Sequence, residues 1–168
     1  NNKEQIDIEI QVTASEYWAE RTLFYLGKMF TDQLKPGEDY QKLEKCIHIG
    51  ILNFTMFEDE EYYSCFHFWS DQGRKMYSDK VEIHTLELPK LAKYEYPETE
   101  LLKWLQFINA ETKEEFEMAA EKSEYIKKAY EDLNRISADE EKRLEYEARE
   151  RAIRDHQYFS TVYKNTGL

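Results

Sequence analysis

The sequence predicts an α/β layer followed by an all-helical region, and three features predict it. Residues Gln5 to Val12 alternate polar and apolar side chains strictly, which is the period of a strand. The run Lys45 to Phe54 is apolar on both faces, as in a central strand covered on both sides. From Pro97 onward every segment reads as helix. The boundary is expected near residue 96, giving an α/β part over 1–96 and a helical region over 97–168.

Each element has a local reason. In the first strand Ile6, Ile8, Ile10 and Val12 face one way, and Asp7, Glu9 and Gln11 the other. The apolar face is expected to enter a core. A helix is expected from about Ser15, as N-cap, to Leu34, stopped by Pro36-Gly37. Trp18, Leu23, Leu26, Met29, Phe30 and Leu34 would form its buried face, while Tyr17, Arg21, Tyr25 and Lys28 fall along one side. After the central strand and an acidic break, Glu58 to Glu61, two strands are expected at Tyr62–Trp69 and Lys80–Leu88. They are joined around Ser70-Asp71-Gln72-Gly73, and Pro89 ends the second. Glu98 to Asn109 reads as a helix, and Thr112-x-x-Glu115 and Ser137-x-x-Glu140 read as capping boxes of later ones. The last helix would run to about Tyr158 before a loose tail.

Composition narrows the function classes. The 168 residues carry 23 basic and 35 acidic side chains, a net charge of −12, and 15% aromatics with only 5 Gly and 3 Pro. That excludes collagen-like and low-complexity chains and argues against global disorder. No apolar run approaches the roughly 20 residues of a membrane span, so no membrane partner is expected. The two cysteines, Cys46 and Cys65, cannot make a disulfide framework, and no signal-peptide pattern is visible; a reducing, cytoplasmic setting is expected. Neither part of the chain is basic, which argues against broad nucleic-acid binding. The chain opens Asn1-Asn2 without Met and enters a strand almost at once, so it reads as a fragment lacking its N-terminal part.

The strongest chemical feature is Glu9-Ile10-Gln11 on a strand, followed by a helix bearing Arg21 and Tyr25. Phosphodiester hydrolysis needs a hard cation held by oxygen ligands, and a rigid strand projects alternate residues to one side. The bland reading is a solvated strand face. For Arg21 and Tyr25, contact with a phosphate or water competes with a structural pairing of Arg21 to Glu9 or Asp7. His48, His67 and His84 sit on three successive expected strands. They invite a three-histidine zinc site, but hydrogen-bonded interior histidines are the simpler reading. His156 has no partner in the local sequence. Cys46 and Cys65 read as small buried hydrophobes. The Glu58–Glu61 run reads as a solvated loop, and the charged helical tail as a salt-bridged surface or a dimerisation element.

Asp7-Ile8-Glu9-Ile10-Gln11-Val12, followed by Arg21-Thr22-Leu23-Phe24-Tyr25-Leu26, resembles the signature of a nuclease family in the PD-(D/E)xK superfamily. That family is grouped with transposases and related to the Rpn recombination-promoting nucleases. The resemblance continues through Gly37-Glu38-Asp39-Tyr40, Ile47 to Phe54, Glu87-Leu88-Pro89-Lys90, Leu101 to Leu105 and Tyr146 to Glu150, covering about Ile6 to Asp155. It implies a restriction-endonuclease-like core with a mixed β-sheet, and a Mg2+-dependent DNA endonuclease of mobile elements in which Mn2+ can substitute. Glu9 stands at the family's (D/E) metal ligand, with the Ile10 main-chain carbonyl completing the coordination. Gln11 stands where the wider superfamily has Lys, so a neutral donor and acceptor replaces a positive charge. More of the charge stabilisation would then fall to the metal and to Arg21, with Tyr25 beside it. The Asp of the first half-motif has no counterpart in this sequence; Asp7, on the face of Glu9, is a further candidate ligand.

The resulting expectation is a DNA endonuclease with Glu9 and Gln11 catalytic, Arg21 and Tyr25 on the substrate, and a homodimer as one possible assembly. Without the first Asp the fragment alone should cleave little, and an acidic chain should bind DNA weakly and with strong salt sensitivity. The competing expectation is a degenerate, non-catalytic transposase relative whose helical tail mediates interaction.

Overall fold

The computed structural model describes residues 4–138 and Leu144. The chain divides into two units, Asn1–Pro97 and Glu98–Leu168.

The first unit is a four-stranded mixed sheet with one long helix. Its strands are β1 (Glu4–Gln11), β2 (Lys45–Leu52), β3 (Tyr63–Trp69) and β4 (Met76–Glu87), in the spatial order β1-β2-β4-β3. β1 and β4 both run parallel to β2, and β3 closes the sheet antiparallel to β4. Helix α1 (Trp18–Thr31) supplies the crossover that a parallel β1–β2 pair requires. β2 is central and nearly continuously buried, the consequence of its two-sided apolar sequence. β3 and β4 form a hairpin whose turn contains Gly73 and Arg74, both at positive φ.

Two expectations about facing are corrected. Helix α1 packs on the polar side of β1, not the apolar side. Its buried stripe steps Trp18, Thr22, Leu26, and Trp18 lies directly over Gly50 of β2. A Cβ at Gly50 would stand 2.8 Å from the Trp18 ring, so this close approach needs glycine. Leu23 consequently points outward instead of into the core. On the other side of the sheet Ile6, Ile8 and Ile10 remain 53%, 61% and 56% exposed, and Val12 is exposed too. Within the described part of the first unit no second layer covers that stretch of β1.

Some boundaries also move. Ser15 caps no helix: its carbonyl and hydroxyl accept from the Trp18 and Tyr17 amides, making a turn before α1. α1 ends at Thr31, where the Asp32 amide closes on the Lys28 carbonyl, short of Leu34.

The second unit holds α2 (Glu100–Ile108), α3 (Lys113–Ala120) and α4 (Glu124–Ala138). Thr99 caps α2, and Thr112 with Glu115 forms the expected capping box of α3. Ser137 lies within α4 and starts no new helix; Glu140 and the expected helix to Tyr158 fall outside the described residues. Phe107, Ala119 and Ile126 form the core of this unit, with Trp104, Phe116 and Tyr130 packed against it. Phe116 stands edge-on to Phe107 at 5.4 Å and stacks on Tyr130 at 5.9 Å. Among the described residues no helix is long and apolar enough to cross a membrane.

Candidate functional site

The acidic face of β1 and the outer side of α1 enclose a cleft of about 550 Å³, lined by Ile6, Asp7, Glu9, Arg21, Tyr25, Lys28, Met29 and Asp32. The cleft follows from two periodicities. Asp7 and Glu9 are two residues apart on a strand, and Arg21, Tyr25 and Lys28 lie one helical turn apart on α1. Tyr17, in the same expected row, precedes the helix and is not among the lining residues.

Glu9 and Arg21 meet across the cleft in a hydrogen-bonded ion pair, with side chains 25% and 42% exposed. The Arg21 guanidinium also lies 5.7 Å from the Trp18 ring, a cation–π contact that holds it toward the sheet. Asp7 is bound differently. Its Oδ2 stands 2.9 Å from Nδ1 of His48, its register partner on β2, and His48 Nε2 is 3.5 Å from the buried Thr22 hydroxyl. His48 is almost completely buried and packs against Trp18. A buried imidazole held at both nitrogens fixes the Asp7 carboxylate from behind while its outer side faces the cleft.

Gln11 points elsewhere: its amide nitrogen donates to the Thr13 carbonyl at 2.8 Å, in the loop after β1, and it does not line the cleft. The Gln11 carbonyl accepts from Asn53 at 2.9 Å. Alternation along the strand therefore turns the Ile10 carbonyl toward the opposite, outer edge of β1.

A hard divalent cation suits this donor set. Two carboxylates and a main-chain carbonyl on one short strand are all oxygen ligands, the kind Mg2+ and Mn2+ take. Arg21 is the present partner of Glu9 in this cleft.

Three features were not anticipated from sequence. His48 supports Asp7, visible only once the β1–β2 register pairs position 7 with 48. Glu87 and Lys90, both almost fully buried, form an ion pair at 2.9 Å; Lys90 also donates to Asp59 Oδ1 at 2.7 Å and to the Glu61 carbonyl at 2.9 Å. The Glu58–Glu61 segment is thus clamped, not simply a solvated loop. Finally, Cys65 is exposed, contrary to its reading as a buried hydrophobe, and sits with His67, Glu82 and His84 on the β3–β4 hairpin; His48 is on the other face. Cys46 is buried as expected.

A mixed sheet with a parallel β1–α1–β2 unit and an acidic strand edge under the helix is the restriction-endonuclease-like arrangement. The family model for PD-(D/E)XK nuclease family transposases matches residues 1–161, and the chain belongs to that family. Nucleases of this superfamily generally use divalent metals and act on DNA. No curated protein and no solved structure matches the chain.

Proposed function

We propose that the β1–α1 cleft is the active site of a divalent-metal-dependent DNA endonuclease, with Mg2+ the working ion. The observation that carries this reading is the joint placement of Asp7, Glu9 and Arg21 on one open cleft in a chain of this family. Glu9, Asp7 and the Ile10 carbonyl would hold the ion. When bound, it polarises the scissile phosphate and acidifies the attacking water.

The chain's own groups do the rest. Arg21 releases Glu9 and spreads its fork over the non-bridging phosphate oxygens, a geometry that a guanidinium matches in bidentate fashion. Tyr25 and Lys28, further along the same side of α1, extend the contact to the flanking backbone. Gln11 swings from Thr13 to orient water by its amide; being neutral, it positions the nucleophile without accepting its proton. His48 keeps Asp7 aimed at the ion. Because the chain carries a net charge of −12, binding depends on this local cationic strip and weakens steeply with salt.

The test is incubation of the protein in its complete natural form with supercoiled plasmid and Mg2+. Nicking that requires the ion and disappears in Glu9→Ala supports the reading. Nicking that survives undiminished in that variant refutes the role of Glu9.

A further inference from the structure

The sheet face opposite α1 carries a second cluster. Cys65 and His67 stand two residues apart on β3, and Glu82 and His84 two apart on β4. Cys65 and His84 are direct partners in the antiparallel register, so all four side chains project from the same side. Glu82 is the register partner of Ile47, which points away from α1, whereas Asp7 is the partner of His48, which points toward it. The two clusters are on opposite faces of the sheet.

The geometry points to a transition-metal site, best suited to Zn2+, formed by Cys65, His67, Glu82 and His84. Cys65, His67 and Glu82 offer ligand atoms all within 4.8 Å of one another. The Cys65 sulfur lies 3.8 Å from His67 Nδ1 and 4.0 Å from His84 Nε2, and His84 Nε2 is 3.5 Å from Glu82 Oε2. With Zn–S near 2.3 Å and Zn–N and Zn–O near 2.0–2.1 Å, neighbouring ligands of a tetrahedral ion stand about 3.3–3.6 Å apart. Those three contacts lie within a few tenths of an ångström of that spacing. The His67 Nε2–Glu82 Oε1 hydrogen bond, at 2.5 Å, joins the two atoms that the donor set Cys65 Sγ, His67 Nδ1, Glu82 Oε2 and His84 Nε2 leaves free.

The donor types argue for zinc over magnesium. One soft thiolate, two imidazoles and one carboxylate form an N/S-rich set, unlike the all-oxygen set under α1. Thiolate and carboxylate together balance the charge of a divalent ion, and binding releases the Cys65 thiol proton to water. Outer support is built in. The Tyr63 hydroxyl lies 2.9 Å from His84 Nδ1, fixing the ring with Nε2 toward the cluster. Lys45 Nζ holds Glu82 Oε2 at 2.8 Å, steadying the carboxylate oxygen that faces His84. All four ligands being protein groups, the site would pin β3 to β4 structurally, without the open position a catalytic zinc keeps.

Cobalt(II), a spectroscopic stand-in for zinc, tests this directly. The wild-type chain should develop a near-ultraviolet thiolate-to-metal band and intense visible absorption of a tetrahedral centre, both erased by excess Zn2+. Cys65→Ser and His84→Ala should lose the thiolate band and the visible absorption respectively, with far-ultraviolet circular dichroism showing the fold intact. Cys46→Ser, the internal control for the other thiol, should retain both. Tyr63→Phe should bind the ion about 10-fold more weakly. Zn2+ should raise the melting temperature of the wild type and not of Cys65→Ser. A wild type without a thiolate band, or a band that persists in Cys65→Ser, overturns the proposal.

Discussion

Two glutamate–cation pairs in the first unit show how the same chemistry serves opposite ends. Glu87 and Lys90 are each 1% exposed, and their polar atoms are fully used. Glu87 Oε1 accepts the Met56 and Phe57 amides while Oε2 takes Lys90, whose three donors go to Asp59, Glu61 and Glu87. Burial opposes the charge on Lys90, but the hydrogen bonds it donates to Asp59 and Glu87 outweigh it and raise its pKa. Glu9 and Arg21 instead sit on an open cleft and, among the described residues, Glu9 has no protein partner besides Arg21. A closed, satisfied pair is a fastener; an open, half-satisfied one is free to exchange its partner for a ligand.

The sharpest way to break that comparison is to remove one member of each pair. Lys90→Ala leaves Glu87 buried with an uncompensated charge and should cost about 3–5 kcal/mol, read from the urea midpoint. A loss below roughly 1 kcal/mol would show that the network relaxes or admits water. Gly50→Ala, which drives a Cβ into the Trp18 ring, should cost about 1–3 kcal/mol by the same measurement and disturb the cleft by tilting α1. Arg21→Ala should change stability by no more than about 1 kcal/mol while sharply reducing plasmid cleavage. If stability falls as far as in Lys90→Ala, Arg21 is a fastener too.

Acid titration sharpens the comparison further. The hydrogen bond from Lys90 holds the Asp59 carboxyl below its ordinary value of 3.8. A depressed folded-state pKa contributes stability that is present above the unfolded value and is lost as pH falls through the folded one. Lys90, raised above 10.5, contributes stability below that value and loses it as pH climbs through its folded pKa. The clamp should therefore be intact between about pH 4 and pH 10, and Asp59→Asn should flatten the acid limb of the stability curve without moving the neutral plateau's shape. The smallest effect belongs to the exposed strip: Ile8→Thr should alter stability by about 0.5 kcal/mol or less, where a buried isoleucine would lose several times more.

What the residues disclosed beforehand follows from the range over which each signal acts. Alternation and helical spacing are local, so β1, α1, β2 and the hairpin could be read from Ile6, Trp18, Ile47 and Gly73 and their neighbours. Alternation shows that a strand has two faces, but not which of them a helix covers. The covered side of β1 turned out to be the one bearing Asp7 and Glu9, because Gly50 and Thr22 let α1 settle there. Contacts that depend on strand register were invisible. His48 could not be matched to Asp7, nor Cys65 to His84, before the pairing was known, and a register shift between Phe66 and Phe68 adds to the difficulty around His67. The simpler reading of an interior, hydrogen-bonded histidine holds for His48, which stands on the face opposite His67 and His84. Lys90 lies in the Glu87-Leu88-Pro89-Lys90 segment that carries the resemblance, but nothing local marked it as buried, since an isolated lysine after a proline is ordinarily solvated.

The central claim is that Glu9 anchors an oxygen-ligated ion in the β1–α1 cleft. Crystals of the chain soaked in Mn2+ and measured at the manganese absorption edge test it most directly. The account predicts an anomalous peak about 2.0–2.5 Å from a Glu9 carboxylate oxygen, displacing Arg21. A cleft without a peak at saturating Mn2+, with Arg21 still on Glu9, would contradict it.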